Sequence, residues 1–233
     1  MRTPLAQTFD HWIRSDFRDM NTELEELYFA REQREQVDGV GDALKQELVE
    51  QGRAYISQLL REGNTDEGFD HGFELLGNVG FYMAACRRHG ITDPARERRS
   101  PLTEASALAM QLGASLGAIP RFASSHLETH NRAIDGVYKS FTNLSDERIF
   151  LDYNTRGVFA YIRASEALLH ILPLGISHPV TLDLLRVAKV ALEDVFASNR
   201  ELFQLLDIDR FFYCIRPYYK PHRVGLHEYR GAN

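Results

Sequence analysis

The sequence predicts an all-α protein with the architecture of a large helical bundle. Apolar residues recur at every third or fourth position along most of the chain, as in Phe9, Trp12, Ile13 and Phe17. Strand signals are short, and the best of them covers only residues 148–152. With 233 residues and 44% hydrophobic content, the chain can bury one large core. We therefore expect a single all-α domain over residues 1–233.

The periodicity and the glycine and proline positions divide this domain into successive helical segments. Residues 1–65 contain the N-terminal helices, and residues 66–233 contain the remainder. Prolines and glycines such as Pro120, Pro173, Gly175 and Pro179 mark the breaks between segments. The predicted helical segments are 5–37, 42–62, 68–88, 102–118, 122–139, 156–172, 179–200 and 207–219.

Two of these helices carry unusual small residues. Gly77 and Gly80 lie inside the apolar helix 68–88, where each costs about 1 kcal/mol relative to alanine. They indicate close approach, either of another helix or of a flat ligand. The helix 102–118 is rich in alanine and glycine, which suits close packing and supports a possible homodimer.

Composition narrows the class of protein. A net charge of −6 and a pI near 5.9 argue against a general nucleic-acid-binding protein. The basic groups at Arg87–Arg88 and at 96–99 are interpreted as solvated loop residues. Without a leader-like start or a long apolar run, we expect a cytoplasmic protein that does not cross the membrane. Cys86 and Cys214 lie among apolar residues and are predicted to be buried free thiols.

His126 and His130 have the i, i+4 spacing of a metal-binding pair on one helix face. The acidic residue, Glu128, is one position later than in the metalloprotease motif, and no third ligand is evident nearby. A polar helix start capped by Ser124 or Ser125 is therefore favoured over a metal site.

The most informative segment is 207–219, where Arg216 follows Phe211 by five residues and Phe212 by four. An arginine in an aromatic wall needs an anion to offset its desolvation. Such an arginine suits the carboxylate of a ligand whose ring packs on the phenylalanines. The alternative is a structural salt bridge from Arg216 to Asp207 or Asp209.

Several segments together resemble a known group of enzymes. The sequences of 209–219 and 225–233 are similar to the substrate-binding helix and the glycine-rich haem loop of the indoleamine and tryptophan 2,3-dioxygenase superfamily. Residues 75–88 and 154–163 resemble its distal-pocket helices. The sequences of residues 215–221 and 228–233 most resemble the monodechloroaminopyrrolnitrin synthase branch. The resemblance extends over about residues 70–233 and implies a helical bundle around haem b.

The resemblance also implies functions for particular residues. Arg216 would bind the carboxylate of tryptophan or a related indole or aromatic amino acid, in an O₂-dependent oxidation or ring rearrangement. The other implied substrate contacts are Phe211, Phe212, Phe81, Val158, Phe159 and Ile162. The implied haem contacts are Gly77, Asn78, Gly157, Gly231, Ala232 and Asn233. Val158 and Ile162 replace an aromatic and a small polar residue of the ring-cleaving enzymes, which disfavours simple indole cleavage.

The resemblance leaves the iron ligand outside this sequence. In the superfamily the proximal histidine follows the glycine-rich loop, so it is expected beyond Asn233, and residues 1–233 are expected to lack the helix that carries it. Two other functions stay open at this point. One is a haem-free helical binding protein that keeps the carboxylate site, and the other is a helical dimerisation module.

Overall fold

The computed structural model describes residues 3–63 and 68–231, which form two compact units. The first unit contains Met1–Glu147 and Asp209–Asn233, and the second contains Arg148–Ile208. These divisions do not coincide with the boundary near residue 65, and the single domain stays a prediction. The all-α class is confirmed, because α-helices dominate and the one sheet has two short strands.

The first unit is built on five α-helices followed by shorter elements. A side-chain cap begins the first helix: Thr3 Oγ1 accepts a hydrogen bond from the Ala6 amide at 3.3 Å, and Pro4 occupies the first turn. The helices are α1 (Pro4–Arg14), α2 (Asp16–Phe29), α3 (Asp42–Glu62), α4 (Gly68–Arg88) and α5 (Thr103–Leu116).

An aromatic cluster forms the centre of this unit. Phe81 of α4 lies 4.8 Å from Phe141 and 4.9 Å from Phe122, measured between ring centroids. Phe17 of α2 meets the same cluster edge-on, 6.5 Å from Phe81. All four rings are 1% exposed or less. Burial of such rings contributes to the stability of the unit.

The second unit is a pair of antiparallel helices, α6 (Ser145–Leu174), which begins in the first unit, and α7 (Pro179–Leu205). A seam of small residues joins them, because alanine side chains allow two helices to approach closely. Gly175, at φ 75°, ends α6, and Pro179 begins α7. The seam contains Ala164, Ala167, Ala188 and Ala191.

The chain returns to the first unit in a run of short elements. These are α8 (Ile208–Arg210), a π-helix (Phe211–Ile215), a 3₁₀-helix (Arg216–Tyr219) and the antiparallel strands β1 (His222–Val224) and β2 (His227–Tyr229). The strands pair His222 with Tyr229. Strands of three residues are too short to show the alternation that identifies a strand in sequence.

Most of the predicted helices are confirmed, but several segments differ. The segment 5–37 is two helices that meet at Ser15 and end at Phe29. The strand signal at 148–152 is wrong, because these residues belong to α6. A short apolar run does not by itself distinguish a strand from a helix.

The helix predicted over 122–139 is also wrong. Its only helical turn is a 3₁₀-helix (Ser124–His126). The Asn131 side chain donates to the carbonyls of Leu127 and Lys139 and accepts from the Lys139 amide. Side-chain bonds to the backbone compete with helical pairing and hold this segment as an irregular loop.

The cysteines and the length of the apolar helices can also be compared with the predictions. Cys86 and Cys214 are buried and unpaired thiols, as predicted. Over residues 3–63 and 68–231, no helix combines the length and apolarity needed to cross a membrane.

Candidate functional site

The segment that carries Arg216 changes helix type within nine residues. The Arg216 amide donates to the Phe211 carbonyl, five residues back, which is the π-helical pattern. Pro217 follows and has no amide hydrogen to continue the pattern, and the chain tightens into the 3₁₀-helix 216–219. The continuous helix predicted over 207–219 is therefore a composite of three helix types.

This geometry places the Arg216 side chain on its aromatic neighbour. The guanidinium carbon lies 4.6 Å from the centroid of the Phe212 ring, a cation–π contact. Both side chains are exposed. The i, i+4 spacing thus brings the two side chains together, but the premise that Arg216 is desolvated in an apolar wall is wrong, because both side chains face solvent.

The alternative salt bridge from Arg216 to an aspartate is not what the described residues show. Asp209 instead pairs with Arg34, at 3.2 Å between Oδ2 and Nη1. Among residues 3–63 and 68–231, no carboxylate lies within salt-bridge distance of Arg216. Its guanidinium edge is therefore open to an external anion.

Arg216 and Phe212 open on a cavity of about 540 Å³. Other cations line the same cavity, among them Arg87, Arg96 and Lys220. Partial burial lowers the pKa of Lys220, and the neighbouring charges of Arg87, Arg88 and Arg216 lower it further. A cation whose charged form is disfavoured by its neighbours indicates a positive local potential, which attracts anionic ligands.

Acidic residues offset part of this charge. Asp93 pairs with Arg96 at 3.2 Å, and Glu35 and Asp38 also line the cavity. The cavity is consequently a mixed site in which Arg216 is a cation without a carboxylate partner among the described residues.

The end of α4 holds this segment from the side. Arg87 Nη1 donates to the Pro217 carbonyl at 2.9 Å, and Arg88 Nη2 donates to the Tyr213 carbonyl at 2.9 Å. Arg88 also forms a two-point ion pair with Glu25, at 2.7 and 2.6 Å. Burial alone would lower the pKa of Arg88, but the charge and hydrogen bonds of Glu25 outweigh it and raise that pKa.

This arrangement corrects the interpretation of the Arg87–Arg88 pair as solvated loop residues. Both lie on α4, and Arg88 is only 7% exposed. Their contacts join residues about 130 positions apart, so no local pattern could have identified them. Two successive arginines at the end of an apolar helix were the available signal. Arg96, in contrast, has a largely exposed side chain, as expected for a loop.

The residues of α4 that the resemblance assigns to haem and substrate contact protein groups. A Cβ on Gly77 would lie 2.9 Å from the His126 ring, so this glycine admits that ring against the helix. Asn78 is buried, donates to Asp10 Oδ1 and accepts from Lys139 Nζ. Phe81 belongs to the aromatic core. The proposed ligand contacts at these three positions stay predictions.

Gly80 repeats the arrangement of Gly77. Its Cβ would lie 2.5 Å from the Phe122 ring. The segment 122–126, which includes the 3₁₀-helix, therefore makes the close approach that the two glycines indicated.

The α6 residues assigned to the pocket lie in the second unit. Gly157 is buried, yet a Cβ there would meet nothing within 4 Å, which leaves open space beside the helix. Phe159 and Ile162 are exposed and Val158 is half-buried. Phe159 lines a cavity of about 410 Å³ within this unit. Their contacts with substrate and haem stay predictions.

The glycine-rich end of the chain is described only as far as Gly231. A Cβ on Gly231 would lie 1.6 Å from the Tyr219 carbonyl oxygen, so no larger residue fits this conformation. Ala232 and Asn233, which were assigned to the haem edge, lie outside the described residues.

Comparison with known proteins now decides the family. Residues 3–233 match the family described as monodechloroaminopyrrolnitrin synthase PrnB. The chain belongs to this family. The family is a member of the indoleamine and tryptophan 2,3-dioxygenase-like superfamily of haem oxygenases, as the sequence predicted. No curated protein matches the chain.

Membership of the PrnB family raises the question of an iron ligand, and the buried histidines do not supply one. His126 Nδ1 accepts a hydrogen bond from the Ala123 amide at 3.1 Å, which leaves the proton on Nε2. His222 Nε2 accepts from the Phe122 amide at 3.3 Å. His89 bonds through both nitrogens, to Tyr28 and Asn21.

Both cysteines are in surroundings that disfavour the thiolate form. Burial raises the pKa of the Cys86 thiol and of the Cys214 thiol to about 12, so both stay protonated near neutral pH. Over residues 3–63 and 68–231 there is also no cluster of three or more side chains that could hold a metal ion. The hydrogen bonds of the three buried histidines therefore disfavour axial ligation by those residues, and the proximal histidine beyond Asn233 stays a prediction.

The histidine pair His126 and His130 has a different role from the ones considered. The two residues are not on one helix, and both imidazoles pack on Phe73, at 4.1 and 5.0 Å between ring centroids. The serine cap is also wrong in its premise, because no α-helix begins there.

Proposed function

We propose that this protein is an oxygenase-type enzyme of the PrnB family that acts on tryptophan or a related aromatic amino acid, with oxidation or ring rearrangement as the outcome. Family membership supports the reaction class and the haem cofactor. One observation carries the substrate class: Arg216 stacks on Phe212 without a carboxylate partner among the described residues, beside a cavity of about 540 Å³.

The proposed recognition follows from the chemistry of these two side chains. The guanidinium of Arg216 donates two parallel hydrogen bonds to the substrate carboxylate, a geometry that arginine favours. The exposed face of Phe212 packs on the aromatic ring of the substrate. Phe211 directly precedes Phe212 in the sequence and is a further candidate contact for that ring. Because the proximal iron ligand stays a prediction, the proposal for this part of the chain is limited to substrate recognition.

The test compares tryptophan with tryptamine, which has the same ring and no carboxylate. Arg216→Ala should weaken tryptophan binding by roughly 1.5–3 kcal/mol, measured by calorimetry, and leave tryptamine binding unchanged. Arg132→Ala is the control, since Arg132 is an exposed residue that pairs with Asp70. Equal tryptophan affinity of Arg216→Ala and the unaltered protein would contradict the proposed substrate site.

A second candidate is a haem-free helical binding protein that uses the same carboxylate-binding residue, Arg216. It differs from the oxygenase in one measurable property. An oxygenase should give a Soret band when haem is added, whereas the binding protein should bind tryptophan without one. Tryptophan binding without a Soret band in the complete natural protein would therefore contradict the oxygenase proposal.

The dimerisation module has lost its main support. The apolar residues of α5, including Ala105, Leu108 and Leu112, are buried, and α5 packs on α3 and α4 within the first unit. The alanine-rich sequence is explained by this packing, and the homodimer stays a prediction.

A further inference from the structure

We propose that Arg87 is a positioning residue that fixes the backbone around Arg216. The Glu25–Arg88 ion pair supports the same backbone at a second point. This inference rests on the proposed function, because it concerns how the carboxylate-binding side chain is held. Its basis is that two successive arginines on α4 bind carbonyls on either side of Arg216, those of Tyr213 and Pro217.

The backbone of this segment needs such external support. It passes from π-helix to 3₁₀-helix at Arg216, and Pro217 has no amide hydrogen. Carbonyls at the end of an irregular helix lack regular helical partners and are satisfied by side chains, water or ligands. Here charged guanidinium groups satisfy them, and charge-assisted hydrogen bonds are stronger than neutral ones.

The Arg88 contact is rigid because its own anchor is buried. Glu25 is completely buried, and both of its oxygens accept from Arg88. One nitrogen of Arg88, Nη2, bonds both Glu25 and the Tyr213 carbonyl. The position of α2 is thereby transmitted through α4 to the residue that precedes Arg216 by three.

Arg87 is the better residue to test. Removing Arg88 would leave the buried carboxylate of Glu25 unpaired, which would destabilise the whole fold. The Arg87 guanidinium lines the cavity and binds the Pro217 carbonyl, next in sequence to Arg216. Arg96 is a matched control for charge. It lines the same cavity but pairs with Asp93, contacts neither carbonyl and has no proposed function.

The experiment measures the dissociation constants of tryptophan and tryptamine for the complete protein and its variants. Arg87→Met should weaken tryptophan binding about 3- to 10-fold, the effect of one hydrogen bond, and leave tryptamine binding unchanged. Arg96→Met should change neither constant. In the Arg216→Ala background, Arg87→Met should have no further effect, because its action passes through Arg216.

Three results would overturn the inference. Equal losses for tryptophan and tryptamine in Arg87→Met would indicate general destabilisation. Equal losses in Arg87→Met and Arg96→Met would indicate only the potential of the cavity. Additive losses in the Arg87→Met/Arg216→Ala double variant would show that Arg87 acts independently.

Hydrogen exchange separates this inference from the proposed function. Amides within 211–219 should exchange faster in Arg87→Met than in Arg96→Met, whatever the natural substrate is. If Arg216→Ala leaves tryptophan binding intact, the proposed function fails, and the exchange rates still test the positioning contact. Unchanged exchange in Arg87→Met would overturn that contact.

Discussion

Burial controls the charge of several residues in the first unit. It lowers the pKa of His126 to about 3 and that of His222 to about 4, and it holds the pKa of His89 well below its usual value. Burial also raises the pKa of Glu147 to about 7, although Glu147 accepts hydrogen bonds from Phe141 and Thr142. Each of these groups makes stability depend on pH.

The signs of these effects are opposite. A buried neutral histidine binds fewer protons in the folded state, so its contribution to stability is lost as pH falls below about 6.5. Glu147 binds more protons in the folded state between about pH 4.5 and 7, so its contribution is lost as pH rises through that window. The raised pKa of Glu25 acts in the same direction as that of Glu147.

One variant isolates the contribution of a single histidine. His126→Phe keeps a ring stacked between Phe73 and Phe122 but cannot be protonated. The free energy of unfolding should therefore rise less steeply between pH 5 and 6.5 than in the unaltered protein, by about 1.4 kcal/mol per pH unit. Urea denaturation at several pH values measures this slope.

His170→Gln provides the control, because His170 is exposed on α6. It tests whether replacing a histidine at an exposed position changes the slope. A slope in His126→Phe equal to that of the unaltered protein would contradict the view that His126 is buried in its neutral form.

At the scale of elements, long apolar periodicities identified α3 and α4 almost to the residue. Their patterns extend over 21 residues each, and glycine marks the end of α3. The helix prediction for residues 122–139 was wrong because the conformation of this segment depends on one polar side chain, Asn131, and on a turn that places Asp135 and Gly136 at positive φ. Local periodicity does not report such interactions.

The loop of 122–139 should consequently depend strongly on Asn131. Asn131 is only 8% exposed, and its side chain makes three hydrogen bonds to the backbone of Leu127 and Lys139. Asn131→Ala removes all three. We expect a loss of roughly 2–4 kcal/mol in the free energy of unfolding. Chemical denaturation measures it, with Asn143→Ala as the control, since the exposed side chain of Asn143 donates to Asp19 and not to the backbone. A similar small effect of both variants would refute the importance of Asn131.

At the scale of the whole molecule, the candidate site divides according to sequence distance. The contact of Arg216 with Phe212 is made within one helical turn, and the spacing of the two residues predicted it. The contacts of Arg87 and Arg88 with this segment connect distant parts of the chain, and no sequence pattern predicts them. The remaining assigned residues are distributed between the two units, and their assignment rests only on the family resemblance.

The second unit also differs from the first in how it distributes apolar residues. Its buried seam consists of alanines, whereas larger apolar side chains of α6 and α7 are exposed. Leu185, Leu192 and Phe196 line an apolar groove, and Phe196 is 69% exposed. A contiguous apolar surface of this kind binds hydrophobic dyes and favours association.

Charged residues placed in this groove should remove much of its exposed apolar surface. Leu192→Lys combined with Phe196→Lys should reduce the fluorescence of a bound hydrophobic dye, because both residues contribute exposed apolar area to the groove. Helix content, measured by circular dichroism, should stay unchanged, since exposed substitutions alter stability by about 0.5 kcal/mol or less. Ala191→Leu is the opposite case. Ala191 is fully buried in the seam, and overpacking should cost about 1–3 kcal/mol. Loss of helix content in the lysine variant, or undiminished dye fluorescence, would contradict the exposure of this face.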